Sequence, residues 1–161
     1  MKEFQTNEIR NIALLGSSGS GKTTLIESML FEAGAIQRRG TVEAGNTVSD
    51  YFPVEKDYGY SVFTSVFSVP WQDKKLNFID CPGSDDFIGG TVSALYVTDC
   101  ALMVINAQQG LEVGTINQFR QTRRFQKPVI FIINQLDHEK ADFENSYHQL
   151  REHYGTKVVA V

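Results

Sequence analysis

Ile9 to Thr24 reads IRNIALLGSSGSGKTT, and this stretch decides the fold. Its first part, Ile9 to Leu15, is a short apolar run of the kind that forms a buried strand. Gly16-Ser17-Ser18-Gly19-Ser20-Gly21-Lys22-Thr23 follows and fits the pattern GxxxxGK[ST]. Leu25, Ile26, Met29, Leu30 and Ala33 then fall at helical spacing, so a helix is expected over Thr23 to Ala33, stopped by Gly34. A strand, a glycine-rich turn and a helix together make a phosphate cradle. The glycines let successive backbone N–H groups turn inward onto phosphate oxygens. The helix N-terminus adds partial positive charge. Lys22 is placed to reach the outer phosphates, and the Thr23 hydroxyl is a hard oxygen ligand for Mg²⁺. The same letters can spell a glycine-rich turn that binds nothing; the strand before it and the helix after it favour the cradle.

Outward from this stretch, strand-like runs alternate with helix-like runs. That pattern gives an α/β fold: a mostly parallel central sheet with helices on both faces. Strands are expected at Val62 to Val69 and Leu76 to Asp80, joined through Gln72-Asp73-Lys74-Lys75 as an antiparallel hairpin. Central strands are expected at Ala101 to Ala107 and Pro128 to Asn134, from their continuous apolar runs. Helices are expected at Phe87 to Thr98, Val113 to Phe125 and Glu139 to Tyr154. Gly40 to Gly59 has no clear period and reads as an irregular loop. Lys157 to Val161, KVVAV, reads as the start of one more strand, and its position at the very end suggests a piece of a longer chain.

The remaining arithmetic fits one ordinary globular domain. The chain has 161 residues, about one domain's worth, with 42% hydrophobic and 21% charged residues. No run approaches the roughly 18 apolar residues of a membrane span, and the first ten residues lack an apolar signal core. Two cysteines, Cys81 and Cys100, are too few for a disulfide framework and suit a reducing cytosol. A net charge of −4 argues against a nucleic-acid-binding surface over the whole domain, leaving room for a local patch. Arg120, Arg123, Arg124 and Lys127 form a basic patch, read as a solvated helix face or a contact for RNA. His138, His148 and His153 have no metal-ligand spacing, and Trp71 reads as hairpin packing.

Two further elements belong to the phosphate side. Asp80-Cys81-Pro82-Gly83 puts an aspartate at a strand end before a Pro-Gly turn. Asp80 suits a Mg²⁺ partner acting through bound water, and Gly83 can offer its N–H to a terminal phosphate. Asn134-Gln135-Leu136-Asp137 closes a central strand. A carboxylate at Asp137 accepts two hydrogen bonds from guanine, where adenine presents a bare ring nitrogen, a mismatch worth roughly 10⁴-fold. The alternative for Asp137 is a helix N-cap. Asp85 and Asp86 read as caps of the following helix, with a catalytic Asp85 as the alternative.

The phosphate loop, DxPG and NxxD, in this order over residues 10–137, resemble the GTP-binding domain of translational GTPases, and of elongation factor G in particular. The resemblance implies a Ras-like phosphate-loop fold over 1–161, binding of GTP or GDP with Mg²⁺, and work in the cytoplasm on the ribosome, against large-subunit RNA, in translocation. It implies nucleotide contacts from Ser18, Gly19, Ser20, Gly21, Lys22, Thr23, Thr24, Gly83, Asn134, Gln135 and Asp137. It makes Thr23 and Ser61 metal ligands, with Asp80 behind them. Gly40 to Tyr60 corresponds to the family's first switch, with EKDYGYS at Glu55 to Ser61 in the slot usually written EQERGIT. Asp80 to about Gly90 corresponds to the second. No membrane or DNA partner is implied.

Departures from the family cluster on hydrolysis. The family's second switch reads DTPGH, and its histidine positions the attacking water; Ser84 stands there in this chain. Serine is too short to reach the same point and cannot become a cation. Gly19 replaces an aspartate, Ser18 and Tyr60 replace two apolar residues beside that histidine, and Gln135 replaces the lysine of NKxD. The expectation is a GTP-binding factor whose hydrolysis is weak or lost, a loss of about 10²–10⁴ in rate. Compensation of Ser84 by Asp85 or a ribosomal group is the alternative. Other readings are a ribosomal protection protein that displaces tetracycline, a regulatory GTPase switch without a ribosomal role, and an ATP-using kinase, against which Asn134 and Asp137 speak.

Overall fold

Apolar alternation in the first strand sorts its side chains between two layers. In the computed structural model, which describes residues 3–49 and 52–161, β1 runs Ile9–Leu15. Ile12 and Leu14 point to one face of the sheet, Ala13 and Leu15 to the other. The first face receives α1 (Lys22–Glu32), whose Ile26 and Leu30 pack with Phe78 and Val104. The second receives α3 (Ile88–Val97), α4 (Val113–Arg124) and α5 (Phe143–Tyr154) through Leu95, Phe119 and Leu150. Leu14, Leu95 and Leu150 are at most 1% exposed, and each such side chain contributes about 1.5–3 kcal/mol on burial.

The sheet has five strands in the order β2-β3-β1-β4-β5. Here β2 is Ser65–Trp71, β3 Lys74–Asp80, β4 Cys100–Asn106 and β5 Val129–Asn134. The β1–β3, β1–β4 and β4–β5 pairs are parallel, and β2–β3 is antiparallel, as expected. All four parallel strands therefore end at one side of the sheet, and β1, β3 and β5 deliver Gly16, Cys81 and Gln135 there.

The hairpin turn is tighter than expected, since β2 runs on to Trp71 and β3 starts at Lys74, and four larger differences stand beside it. First, the segment read as irregular contains a short helix, α2 (Pro53–Tyr58), with Pro53 at its first position and Gly59 ending it at φ 70°. Asp50 and Tyr51, in the same segment, lie outside the described residues. Second, β2 starts at Ser65 instead of Val62, because the Val62 and Phe63 N–H groups donate to Glu55 Oε1, each at 3.0 Å. Third, α5 starts at Phe143 instead of Glu139, because Asp142 takes the N-cap, accepting from Asn145 N at 2.9 Å. Last, Lys157 to Val161 is not a strand. The chain turns at Gly155, where the Val158 N–H donates to the Gly155 carbonyl at 3.2 Å, and Val158 packs onto the core.

The basic patch also divides. Arg120, Arg123 and Arg124 are exposed, whereas Lys127 donates to the Thr98 carbonyl at the end of α3.

Candidate functional site

At the end of β1 the chain must turn sharply, and only glycine permits it. Gly16 has φ 138°, and a Cβ there would collide with the Val104 carbonyl of β4. Gly19 (φ 79°) and Gly21 (φ 91°) complete the loop, and Gly21 caps α1. A Cβ on Gly21 would run into Asn134 Nδ2. Lys22, 6% exposed, folds back under the loop, its ammonium donating to the carbonyls of Gly16 (2.8 Å) and Ser17 (3.0 Å).

The floor of the loop comes from α4. Gln118 is fully buried and uses both ends of its amide. Its Oε1 accepts the Gly16 N–H at 2.7 Å, and its Nε2 donates to the Pro82 carbonyl at 3.2 Å. The hydroxyls of Ser17 and Thr115 share a hydrogen bond of 2.9 Å. Glu112 precedes the same helix, and burial holds its carboxyl above the usual range, opposed by a hydrogen bond from Ser17 and by the charge of Lys22. One helix thus fixes the phosphate loop and the Pro82-Gly83 turn relative to each other. Gly83 lies directly on the loop: a Cβ would come within 2.5 Å of Ser18 N and 2.7 Å of Lys22 Nζ.

The third side comes from β5. Asn134 Nδ2 donates to the Ser20 carbonyl and Gln135 Nε2 to the Gly19 carbonyl, each at 3.0 Å. The cleft between these parts has a volume of about 210 Å³. It brings together Ser18, Gly19, Gly21, Lys22, Thr23, Thr24, Gly83 and Gln135 with Ser61 of the first switch. Ser20 is buried in the loop beneath, and Asn134 acts from behind through it. Asp137 is exposed just beyond the cleft, and it is no helix cap, since Asp142 has that role. Thr23 and Ser61, which carry hydroxyls, line the cleft, and Asp80 ends β3 with 2% exposure. These are hard oxygen donors, a set that fits Mg²⁺.

Ser84 lies outside the cleft lining. It caps the short turn Asp85–Phe87: its hydroxyl accepts from Asp86 N and donates to Asp86 Oδ2, both at 3.4 Å. Neither Asp85 nor Asp86 caps the following helix as expected, since α3 has Phe87 at its N-cap with no side-chain bond. Asp85 instead accepts from Asn117 Nδ2 at 2.8 Å.

Sequence reasoning missed Val42, Glu43 and Gly59 on the cleft wall, and the supports Glu27, Asn106 and Gln118. A signal existed for α4: Thr115, Gln118 and Thr122 sit at i, i+3 and i+7, a polar stripe on a face that otherwise packs inward.

The fold and cleft define a phosphate-loop nucleotide-binding domain, and comparison with known proteins narrows the class. Residues 7–160 match the family described as the elongation factor Tu GTP binding domain, and the chain belongs to that family. It is a GTP-binding domain of the elongation factor G-like kind. It is 36% identical over 153 residues to an elongation factor G-like protein of Thermotoga maritima, covering 95% of this chain and 22% of that one. It is 34% identical over 160 residues to the mitochondrial ribosome-releasing factor 2 of Drosophila sechellia, covering 99% of this chain and 23% of that one. A crystal structure of a Thermus thermophilus protein superposes with a TM-score of 0.89 at 36% identity, over 92% of this chain and 22% of that one. The chain thus spans less than a quarter of the length of these relatives. Among the described residues, no helix is long and apolar enough to cross a membrane.

Proposed function

We propose that residues 1–161 are the GTP-binding domain of a longer, multidomain elongation factor G-like protein that binds GTP and GDP with Mg²⁺ and hydrolyses GTP weakly. In this reading the factor works in the cytoplasm and engages the ribosome, including RNA of the large subunit, to promote translocation. The names of the relatives support the ribosomal part.

Each residue then has a task. Loop N–H groups and Lys22 hold the phosphates. Thr23 and Ser61 would hold Mg²⁺, with Asp80 behind them, and the bound ion would supply charge neutralisation at the outer phosphates. The Gly83 N–H meets the terminal phosphate. Asn134 and Gln135 brace the loop, and Asp137 reads guanine. The observation that carries weak hydrolysis is Ser84, whose hydroxyl is engaged with Asp86, outside the cleft lining. No imidazole stands there to orient a water.

The test is ribosome-stimulated GTP hydrolysis by the full-length factor, beside binding titrations with GTP, GDP and ATP. GTP and GDP should bind, with ATP weaker by roughly 10⁴-fold. Turnover should lie about 10²–10⁴ below that of a histidine-bearing factor, and Ser84→His should raise it. Brisk turnover by the unmodified factor would overturn weak hydrolysis. Equal binding of ATP would overturn the guanine reading.

A further inference from the structure

Two side-chain amides link the end of β4 to the phosphate loop. The Gln108 backbone N–H donates to Asn106 Oδ1 at 2.8 Å. Asn106 Nδ2 donates to Gln135 Oε1 at 2.7 Å. Gln135 Nε2 donates to the Gly19 carbonyl at 3.0 Å. The direction of this chain is forced at both ends, since a backbone N–H can only donate and a carbonyl can only accept. Asn106 is 6% exposed, so little water is at hand to satisfy its amide in another orientation. Gln135 is held at φ 61°, a left-handed conformation that few residues other than glycine adopt without support from their surroundings.

An amide at position 135 has a weakness that an ammonium lacks. Turned round, it sets its oxygen against the Gly19 carbonyl, acceptor against acceptor. Something must choose its orientation. We propose that Asn106 is a positioning residue for nucleotide binding: it orients the Gln135 amide and thereby fixes the Gly19 peptide of the phosphate loop. That peptide is planar, so holding its carbonyl also fixes the Ser20 N–H on its other side. The proposal rests on the cleft being a guanine-nucleotide site.

The experiment follows release of a fluorescent GDP analogue from the full-length protein and three variants. Asn106→Asp puts an acceptor opposite Gln135 Oε1 and should speed release about tenfold. Gln135→Glu keeps the bond from Asn106 but offers only oxygen to Gly19, and should also speed release about tenfold. It serves as the readout should Asn106→Asp not fold. In the double variant N106D/Q135K, the ammonium can donate to both the new carboxylate and the Gly19 carbonyl. Release should return to within about threefold of the unmodified protein. A purely structural Asn106 would show no such rescue, and a Gln135 that does not hold Gly19 would leave release from Gln135→Glu unchanged. An unmodified release rate in either single variant, or a double variant no slower than N106D, would overturn the proposal. An unmodified protein that binds no guanine nucleotide would overturn the underlying reading of the cleft, and the proposal with it.

Discussion

Gly83 has no room for a side chain against the phosphate loop. Its Cα faces the backbone of Ser18 and the Lys22 ammonium, so an added methyl must push a loop aside. Gly83→Ala should leave the core intact, because that methyl lies in the site and not among the buried leucines. It should weaken binding of a GTP analogue by tenfold or more, on the order of 1–3 kcal/mol for an overpacked contact, as read by a titration alongside a melting curve. At this scale much was legible. Glycines that must turn are dictated by local chemistry, so Gly16 and Gly21 announce themselves, and the same pattern carries Lys22 onto the cleft wall beside them. The roles of Asn106 and Gln118 do not. Their hydrogen bonds reach 29 residues to Gln135 and 102 residues to Gly16, and no local pattern encodes such partners.

Among the elements, two buried glutamates hold the ends of the segment from Gly40 to Phe63. Glu27 of α1, 1% exposed, accepts from the N–H groups of Gly40 and Val48, closing the loop between them. Glu55 of α2, also 1% exposed, accepts from Val62 and Phe63. Hydrogen bonds to a charged group contribute about 1.5–3 kcal/mol each. Glu27→Gln leaves one good acceptor where there were two. It should loosen the loop locally, and trypsin should then cut after Arg38 or Arg39 on the order of tenfold faster, with the core still folded. Equal cutting of the two proteins would contradict this. The absence of hydrophobic period over this segment hid both its helix and its anchors, since carboxylate-to-backbone bonds leave no periodic trace. The strands and long helices, which bury apolar faces, were legible within a few residues. The misplaced start of α5 came from reading a turn as helix, and the terminal strand failed for want of a ladder.

Stability at alkaline pH belongs to the whole molecule. Burial, reinforced by the charge of Asp80, pushes the Cys81 thiol from 9.0 up to about 12, and burial likewise pushes the Tyr154 hydroxyl up to about 12. Both folded values lie above the unfolded ones, so the folded state holds these protons longer. The contribution of Cys81 is complete below about pH 9 and is lost as pH climbs toward 12. The urea midpoint should therefore fall from pH 9 upward. Cys81→Ala should flatten the first part of that fall and leave the later part, from Tyr154, in place.

The β2–β3 hairpin has an optical consequence. Its turn lies at the opposite end of the sheet from the phosphate loop, about 20 Å away along β3. Trp71, the one tryptophan in the chain, sits at that turn and is 49% exposed. Its emission is thus a gauge of whether the hairpin is intact, and it is nearly blind to what occupies the cleft. Nucleotide arrival has to be followed through a label on the ligand or on the loops themselves.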